Sequence, residues 1–204
     1  VLVIACPCAL GLATPVALLV ASGRGAQKGI VLRKPSALES AKNITDVVLD
    51  KTGTLTTGVM KVAHATIVSE AAQVLGSTWQ SIATESTIIE SAAAIESQNS
   101  HPIAEAIVRF AKIQKPLKVT DFQITPGAGA AGRVYLGSES AIVIIGSPAA
   151  VAHSSMAFHP KIAKAIAEAE SNGLSVSVLA WEGVALAVFA VGDSVKPDAQ
   201  STVS

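Results

Sequence analysis

Asp50-Lys51-Thr52-Gly53-Thr54-Leu55-Thr56 sets one carboxylate among hydroxyl, amine and glycine groups, directly after the apolar run Val47-Val48-Leu49. A buried strand can hold an aspartate rigidly at its carboxyl end, the edge where open α/β sheets place their ligands. A carboxylate there can attack a terminal phosphoryl group and become an aspartyl phosphate, splitting one hard displacement into two easier ones. Lys51 offers a cation for phosphate charge, Thr52 and Thr54 offer donors, and Gly53 lets the backbone approach closely. A second constellation lies upstream, where Cys6 and Cys8 flank Pro7. On an unbroken helix, residues two apart point about 200° away from each other and share no ion. Proline removes a backbone donor and opens the turn, so the two thiols can converge. Soft thiolates select monovalent copper or silver and also bind zinc; the plainer alternative is a pair of small buried apolar side chains.

The elements that would position these groups follow from the apolar pattern. Residues 1–21 are almost wholly apolar, with no charge before Arg24, close to the ~20 residues that cross a bilayer. No basic segment precedes the run, as a secretory signal would require. Arg24, Lys28, Arg33 and Lys34 follow it and place that side in the cytoplasm. Pro7 and Pro15 predict a broken span. Gly29–Arg33 is a strand candidate, Ser36 and Glu39 form a capping-box pattern for a short helix to about Lys42, and a strand ends at Asp50.

From residue 59 the pattern changes to that of an α+β module. A strand is expected over Val62–Val68, and helical segments over 70–75 and 78–98. Pro102 opens a further helix that ends near 112–115. Strands are expected near 119–124, 132–136 and 141–145, with the turn Thr125-Pro126-Gly127-Ala128-Gly129 between the first two. A helix over 160–171 ends at Asn172-Gly173, and strands 175–181 and 184–191 form a hairpin about Glu182-Gly183. Trp79 and Trp181 read as core. His64, His153 and His159 lack metal-ligand spacing, and Met60 and Met156 form no copper-binding pattern.

Half of the 204 residues are hydrophobic and 15% are charged, below the roughly 25% usual in soluble domains. The formal net charge is zero, which leaves no basic field for nucleic acid. Two cysteines one residue apart make no disulfide framework. Val1 already lies in an apolar run and the chain stops at Ser204 within a recognisable segment, so it reads as a fragment of a longer protein.

The string Asp50–Thr56 resembles the phosphorylation signature of the P-type ATPases, and Ala5-Cys6-Pro7-Cys8-Ala9-Leu10-Gly11-Leu12-Ala13-Thr14-Pro15 resembles the membrane metal site of their heavy-metal-transporting branch. The Cys8-to-Asp50 spacing also fits that branch. The Gly11–Pro15 continuation is similar to the copper/silver subgroup more than to the zinc/cadmium subgroup. The resemblance implies an α/β fold. A membrane helix segment, residues 1–22, leads into an incomplete haloacid-dehalogenase-like phosphorylation domain, residues 23–58. A nucleotide-binding domain of α+β type, 59–191, is inserted into it, and 192–204 begin the return.

What the resemblance implies about sites is specific. Asp50 is the phosphorylated residue, with Lys51 and Thr52 beside it, and Asp50 and Thr52 carry Mg²⁺. Glu96, five residues before His101, lines the adenine pocket with it, although Ser100 stands where an acidic residue is common. Gly127 and Gly129 form the other wall, and Gly146 joins them while Ser147 departs from the usual asparagine. Gly127-Ala128-Gly129 with Gly132 also spells a dinucleotide fingerprint, but no helix follows as that fold needs. Asp193 and Lys196 match a domain-return segment with a hinge or catalytic role. Cys6 and Cys8 hold the transported ion, Cu⁺ or Ag⁺.

The implied activity is ATP-driven export of that ion by an integral protein of the cell membrane, residues after about 23 lying in the cytoplasm. Lipid bilayer, ATP, soft metal ion and a cytoplasmic copper chaperone are the implied partners. The actuator loop and later phosphorylation motifs are missing from these residues, so nucleotide binding without turnover is expected. The rivals are a zinc/cadmium exporter, a soluble haloacid-dehalogenase-type phosphohydrolase, and a non-catalytic metal- or nucleotide-binding module. The hydrolase would carry a second acidic residue where this chain has Thr52.

Overall fold

The computed structural model describes residues 8–34, 36–113, 115–154 and 158–203. The chain divides into two compact units, Val1–Leu49 and Asp50–Ser204. In the first, helix α1 spans Cys8–Gln27 with Pro15 inside it and Arg24 in its last turn, where a cation suits the helix dipole. Gly29, at φ 80°, ends it in a left-handed turn that any side chain would strain. Helix α2 covers Ser36–Ala41. Among the described residues no helix is long and apolar enough to cross a membrane. Residues 1–7, with Cys6 and the expected break at Pro7, lie outside the described residues, as does the side chain of Cys8.

Two expected strands do not form. Gly29–Arg33 is a turn and irregular chain, and residues 44–50 run without a ladder. Val47 is 72% and Val48 98% exposed. A buried parallel strand needs neighbours on both edges and helices on both faces; among the described residues the six strands pair only with one another.

The second unit is built on those six strands: β1 (Thr56–Ile67), β2 (Val119–Thr125), β3 (Gly129–Leu136), β4 (Glu139–Gly146), β5 (Ser175–Trp181) and β6 (Val184–Val195). They form one antiparallel sheet in the order β1-β6-β5-β4-β3-β2. The β5–β6 hairpin turns at Glu182 and Gly183, both with positive φ, as a tight two-residue turn demands. Helices α4 (Glu85–Glu96) and α5 (Pro102–Ala111) pack on the sheet, as do α6 (Pro148–Ser154) and α7 (Pro160–Ser171). Central strand β6 is buried throughout Val184–Val191, so both faces of the sheet are covered there. Trp181 and Phe189 anchor the core, each meeting a second ring edge-on, Trp79 at 5.9 Å and Phe110 at 6.3 Å.

The helix expected over 78–98 is two helices, α3 (Ser77–Ile82) and α4. Thr84 and Thr87 exchange hydrogen bonds as a capping box and start α4 afresh. Residues 69–75 wind as a 3₁₀ segment, and α8 (Ala199–Val203) closes the described chain. Strands β1 and β6 run past the expected domain limits of 59 and 191, because the outgoing and returning chains pair from Thr56–Val195 onward.

Candidate functional site

Five residues singled out for nucleotide binding, Glu96, His101, Gly127, Gly129 and Gly146, line one cavity of about 240 Å³. Local structure explains why each is there. Glu96 is the last residue of α4, and His101 is the N-cap of α5, its Nδ1 accepting from the Ile103 amide at 3.3 Å. With Nδ1 accepting, a neutral His101 ring carries its proton on Nε2, free to face a ligand. The opposite wall is the β2–β3 turn and the first residue of α6's approach, Ser147, whose amide donates to the Ala128 carbonyl at 2.8 Å.

The three glycines serve different ends. Gly127 sits at φ 75° with nothing within 4 Å of where a Cβ would stand, so it frees both the turn and the space before it. Gly129 and Gly146 are cross-strand partners in β3 and β4. A Cβ on Gly129 would lie 2.1 Å from the Ile145 carbonyl oxygen, and one on Gly146 would lie 2.1 Å from that of Ala128. Their first reason to be glycine is therefore that two backbones touch there, which shapes the cavity floor.

Glu96 is 4% exposed. Burial pushes its carboxyl up to about 6, against a hydrogen bond from Asn99 that pulls it down. A buried carboxylate with one engaged oxygen is suited to accept from an amino group of a base. Asn99 and Ser177 also line the cavity and escaped the sequence reading; Asn99's spacing of three from Glu96, just past a helix end, was the available signal.

The Asp50 loop is held quite differently. Asp50 is exposed in extended conformation, and Lys51–Leu55 form a single π-helical turn with Gly53 at φ 76°. The side chain of Thr52 lies outside the described residues; that of Lys51 is exposed, and its carbonyl is used instead. Thr56, 2% exposed, accepts from the Gly53 amide at 3.1 Å. Its one hydroxyl proton is shared between the Lys51 carbonyl at 2.9 Å and Asp193 at 2.5 Å. Asp193 also accepts from Thr57 Oγ1 and the Gly58 amide, both at 3.2 Å. These bonds, the one from Thr56 foremost, hold its carboxyl below the usual range. Lys196 donates from Nζ to the Gly53 carbonyl at 3.0 Å and from its amide to Leu55 at 2.9 Å. Asp193 and Lys196 thus clasp the loop, and Thr56, given no role by its position in the string, is the hub of the clasp. Asp50 is one exposed carboxylate of the kind Mg²⁺ takes together with substrate phosphates, so the donor set fits.

Comparison with known proteins identifies the family. Residues 46–204 match the haloacid dehalogenase-like hydrolase family. A copper-exporting P-type ATPase of Mycobacterium tuberculosis is 41% identical over this whole chain, and a probable copper-transporting ATPase of Synechococcus elongatus is 33% identical over it. The chain spans about a quarter of the length of these relatives, 24% and 25% respectively. Among solved structures, a zinc-transporting PIB-type ATPase in the E2.Pi state superposes on 97% of this chain at a TM-score of 0.74 and 28% identity, using 30% of that protein. The catalytic domain of a CPx-ATPase, 24% identical, shares the fold over 90% of this chain and 58% of its own at a TM-score of 0.58. The chain belongs to the haloacid dehalogenase-like hydrolase family, and its similarity runs end to end along a segment of heavy-metal P-type ATPases.

Proposed function

We propose that this chain is the ATP-binding and phosphoryl-accepting segment of an ATP-driven heavy-metal exporter, with Cu⁺ (or Ag⁺) as cargo and Asp50 as the residue phosphorylated. The observation that carries the proposal is the convergence of Glu96, His101, Gly127, Gly129 and Gly146 on one cavity, in a module whose first and last strands spring from the Asp50 loop. ATP would enter with its base at Glu96 and His101 and its phosphates toward Asp50. Mg²⁺ would offset phosphate charge beside Asp50 and Thr52. Residues 1–22 would form a membrane segment of the cell membrane, residues after about 23 would lie in the cytoplasm, and Cys6 and Cys8 would hold the ion, delivered by a copper chaperone. The relatives at 33–41% identity favour copper.

The test is transfer of label from γ-³²P-ATP in a membrane preparation of the whole transporter. Acid-stable label is expected with Cu⁺, and none in Asp50→Asn or in Cys6→Ser/Cys8→Ser. Label surviving Asp50→Asn sinks the aspartyl-phosphate reading, and stimulation by Zn²⁺ in place of Cu⁺ transfers the assignment to a zinc exporter, the reading that the 28%-identical zinc-transporting structure favours. The 204 residues alone should bind ATP and not turn it over.

A further inference from the structure

The cavity contains one side chain that ties its two base-facing residues together. Asn99 lies in the turn between α4 and α5, its own amide bonded to the Glu96 carbonyl at 3.0 Å. Its Nδ2 donates to Glu96 Oε2 at 2.9 Å, and its Oδ1 accepts from the His101 backbone amide at 3.1 Å. Both ends of one short amide are therefore committed, one to a helix C-terminal carboxylate and the other to the N-cap of the next helix. Glu96 is left with Oε1 as the oxygen a ligand can use, and the separation of its carboxylate from the His101 backbone amide is fixed through the two covalent bonds Nδ2–Cγ and Cγ–Oδ1 of asparagine. Glu96 and His101 are the two titratable side chains lining this cavity, whose β2–β3 turn, β4 end and β5 segment contribute apolar, glycine and hydroxyl residues.

We propose that Asn99 is a positioning residue for the nucleotide base, clamping Glu96 and His101 into one rigid acceptor-and-ring pair that presents a single carboxylate oxygen to the amino group of adenine. The inference rests on the nucleotide-pocket reading above. The amide does two things at once. It removes the rotamer freedom that a glutamate at a fraying helix end would otherwise lose only on binding, an ordering cost that preorganisation avoids. It also supplies a donor to the ionised carboxylate in a buried site, where a hydrogen bond to the charged form keeps it charged. Cooperation of this kind is visible only as non-additivity between the partners.

The experiment is calorimetric titration of the 204-residue chain with ATP from pH 5 to 8, for wild type, Asn99→Ala, Glu96→Ala and the double variant. Asn99→Ala should weaken ATP binding roughly three- to tenfold, the range of one lost hydrogen bond. It should also move the pH at which affinity falls off on acidification upward, because Glu96 loses the donor that opposes its protonation. Glu96→Ala should weaken binding and abolish the Asn99 effect. A His101→Asn background, which keeps an N-cap and does not titrate, separates the two titrations. Asn99→Asp keeps the size of the side chain and sets a second carboxylate beside Glu96, so it should raise the fall-off pH further even if Asn99→Ala folds poorly. Unchanged affinity and fall-off pH in both Asn99 variants, with Glu96→Ala weakened, overturns the positioning role alone. ATP binding unaffected by Glu96→Ala and His101→Asn overturns the pocket reading and this proposal together.

Discussion

The cavity at Glu96 and His101 and the aspartate loop are built by opposite strategies. The cavity rests on contacts near in sequence: a helix end, an N-cap, a glycine turn and one cross-strand pair of glycines, all within residues 96–147 except for Val176 and Ser177 of β5. The loop around Asp50 is held by residues 137 and 143 positions away, through Asp193 and Lys196. Just before it, Val47 and Val48 stand in water with no ladder. A pocket of local contacts is complete once its own elements fold. A loop that relies on distant partners is only as ordered as the return of the chain allows.

That contrast can be broken most forcefully at Gly129. Gly129→Ala forces a Cβ into the Ile145 carbonyl and should cost about 3 kcal/mol, as overpacking does, with ATP binding lost alongside. Gly127→Ala meets open space and should cost about 1 kcal/mol through its positive φ alone. Equal effects in chemical denaturation would show that Gly129 is not a backbone contact. Glu96 comes next. Its carboxyl, raised from 4.5 to about 6, binds protons more readily folded than unfolded, so the stability it contributes is full below about pH 4.5 and is lost as pH rises through 6. That difference corresponds to about 2 kcal/mol. Glu96→Gln should recover that stability at pH 7 and flatten the profile while weakening ATP.

The contrast is legible in the sequence to the same degree that its contacts are local. The helix Pro160–Ser171, the start of α5 at Pro102 and the hairpin at Glu182-Gly183 occur where their caps and turn residues predict. Thr84 interrupts an otherwise continuous helical pattern because its capping box with Thr87 competes locally with the helix that alanine content favours. Residues 46–50 carry a strand's composition, yet a strand exists only in a sheet, and the apolar pattern says nothing of whether neighbours are present. The five pocket residues follow from the family resemblance, which carries them over one by one, rather than from periodicity or spacing. Asn99 leaves only its spacing of three from Glu96 as a signal, and Asp193 is legible as part of a returning segment but not as the partner of Thr56, since a side-chain hydrogen bond leaves no periodicity behind it.

Smaller effects sharpen the loop side. Asp193→Asn weakens the acceptor for Thr56, Thr57 and Gly58 and should speed hydrogen exchange at the Gly53 and Gly58 amides without changing ATP affinity. Exchange unaltered there would mean the clasp does not hold the loop. Val48→Lys, at a position 98% exposed, should change stability by less than about 0.5 kcal/mol; a loss of several kcal/mol would place that run in a packed sheet.

The pairing of Thr56 with Val195 sets the outgoing and returning chains about 5 Å apart at the root of the sheet. Such a doorway makes residues 56–195 a cassette. Its ends can be joined by a short linker without stretching the fold, so it can be removed, swapped between relatives or circularly permuted while keeping its cavity. The same doorway acts as a two-stranded stalk, through which any tilt of the sheet module would pass to the turn that follows Asp50.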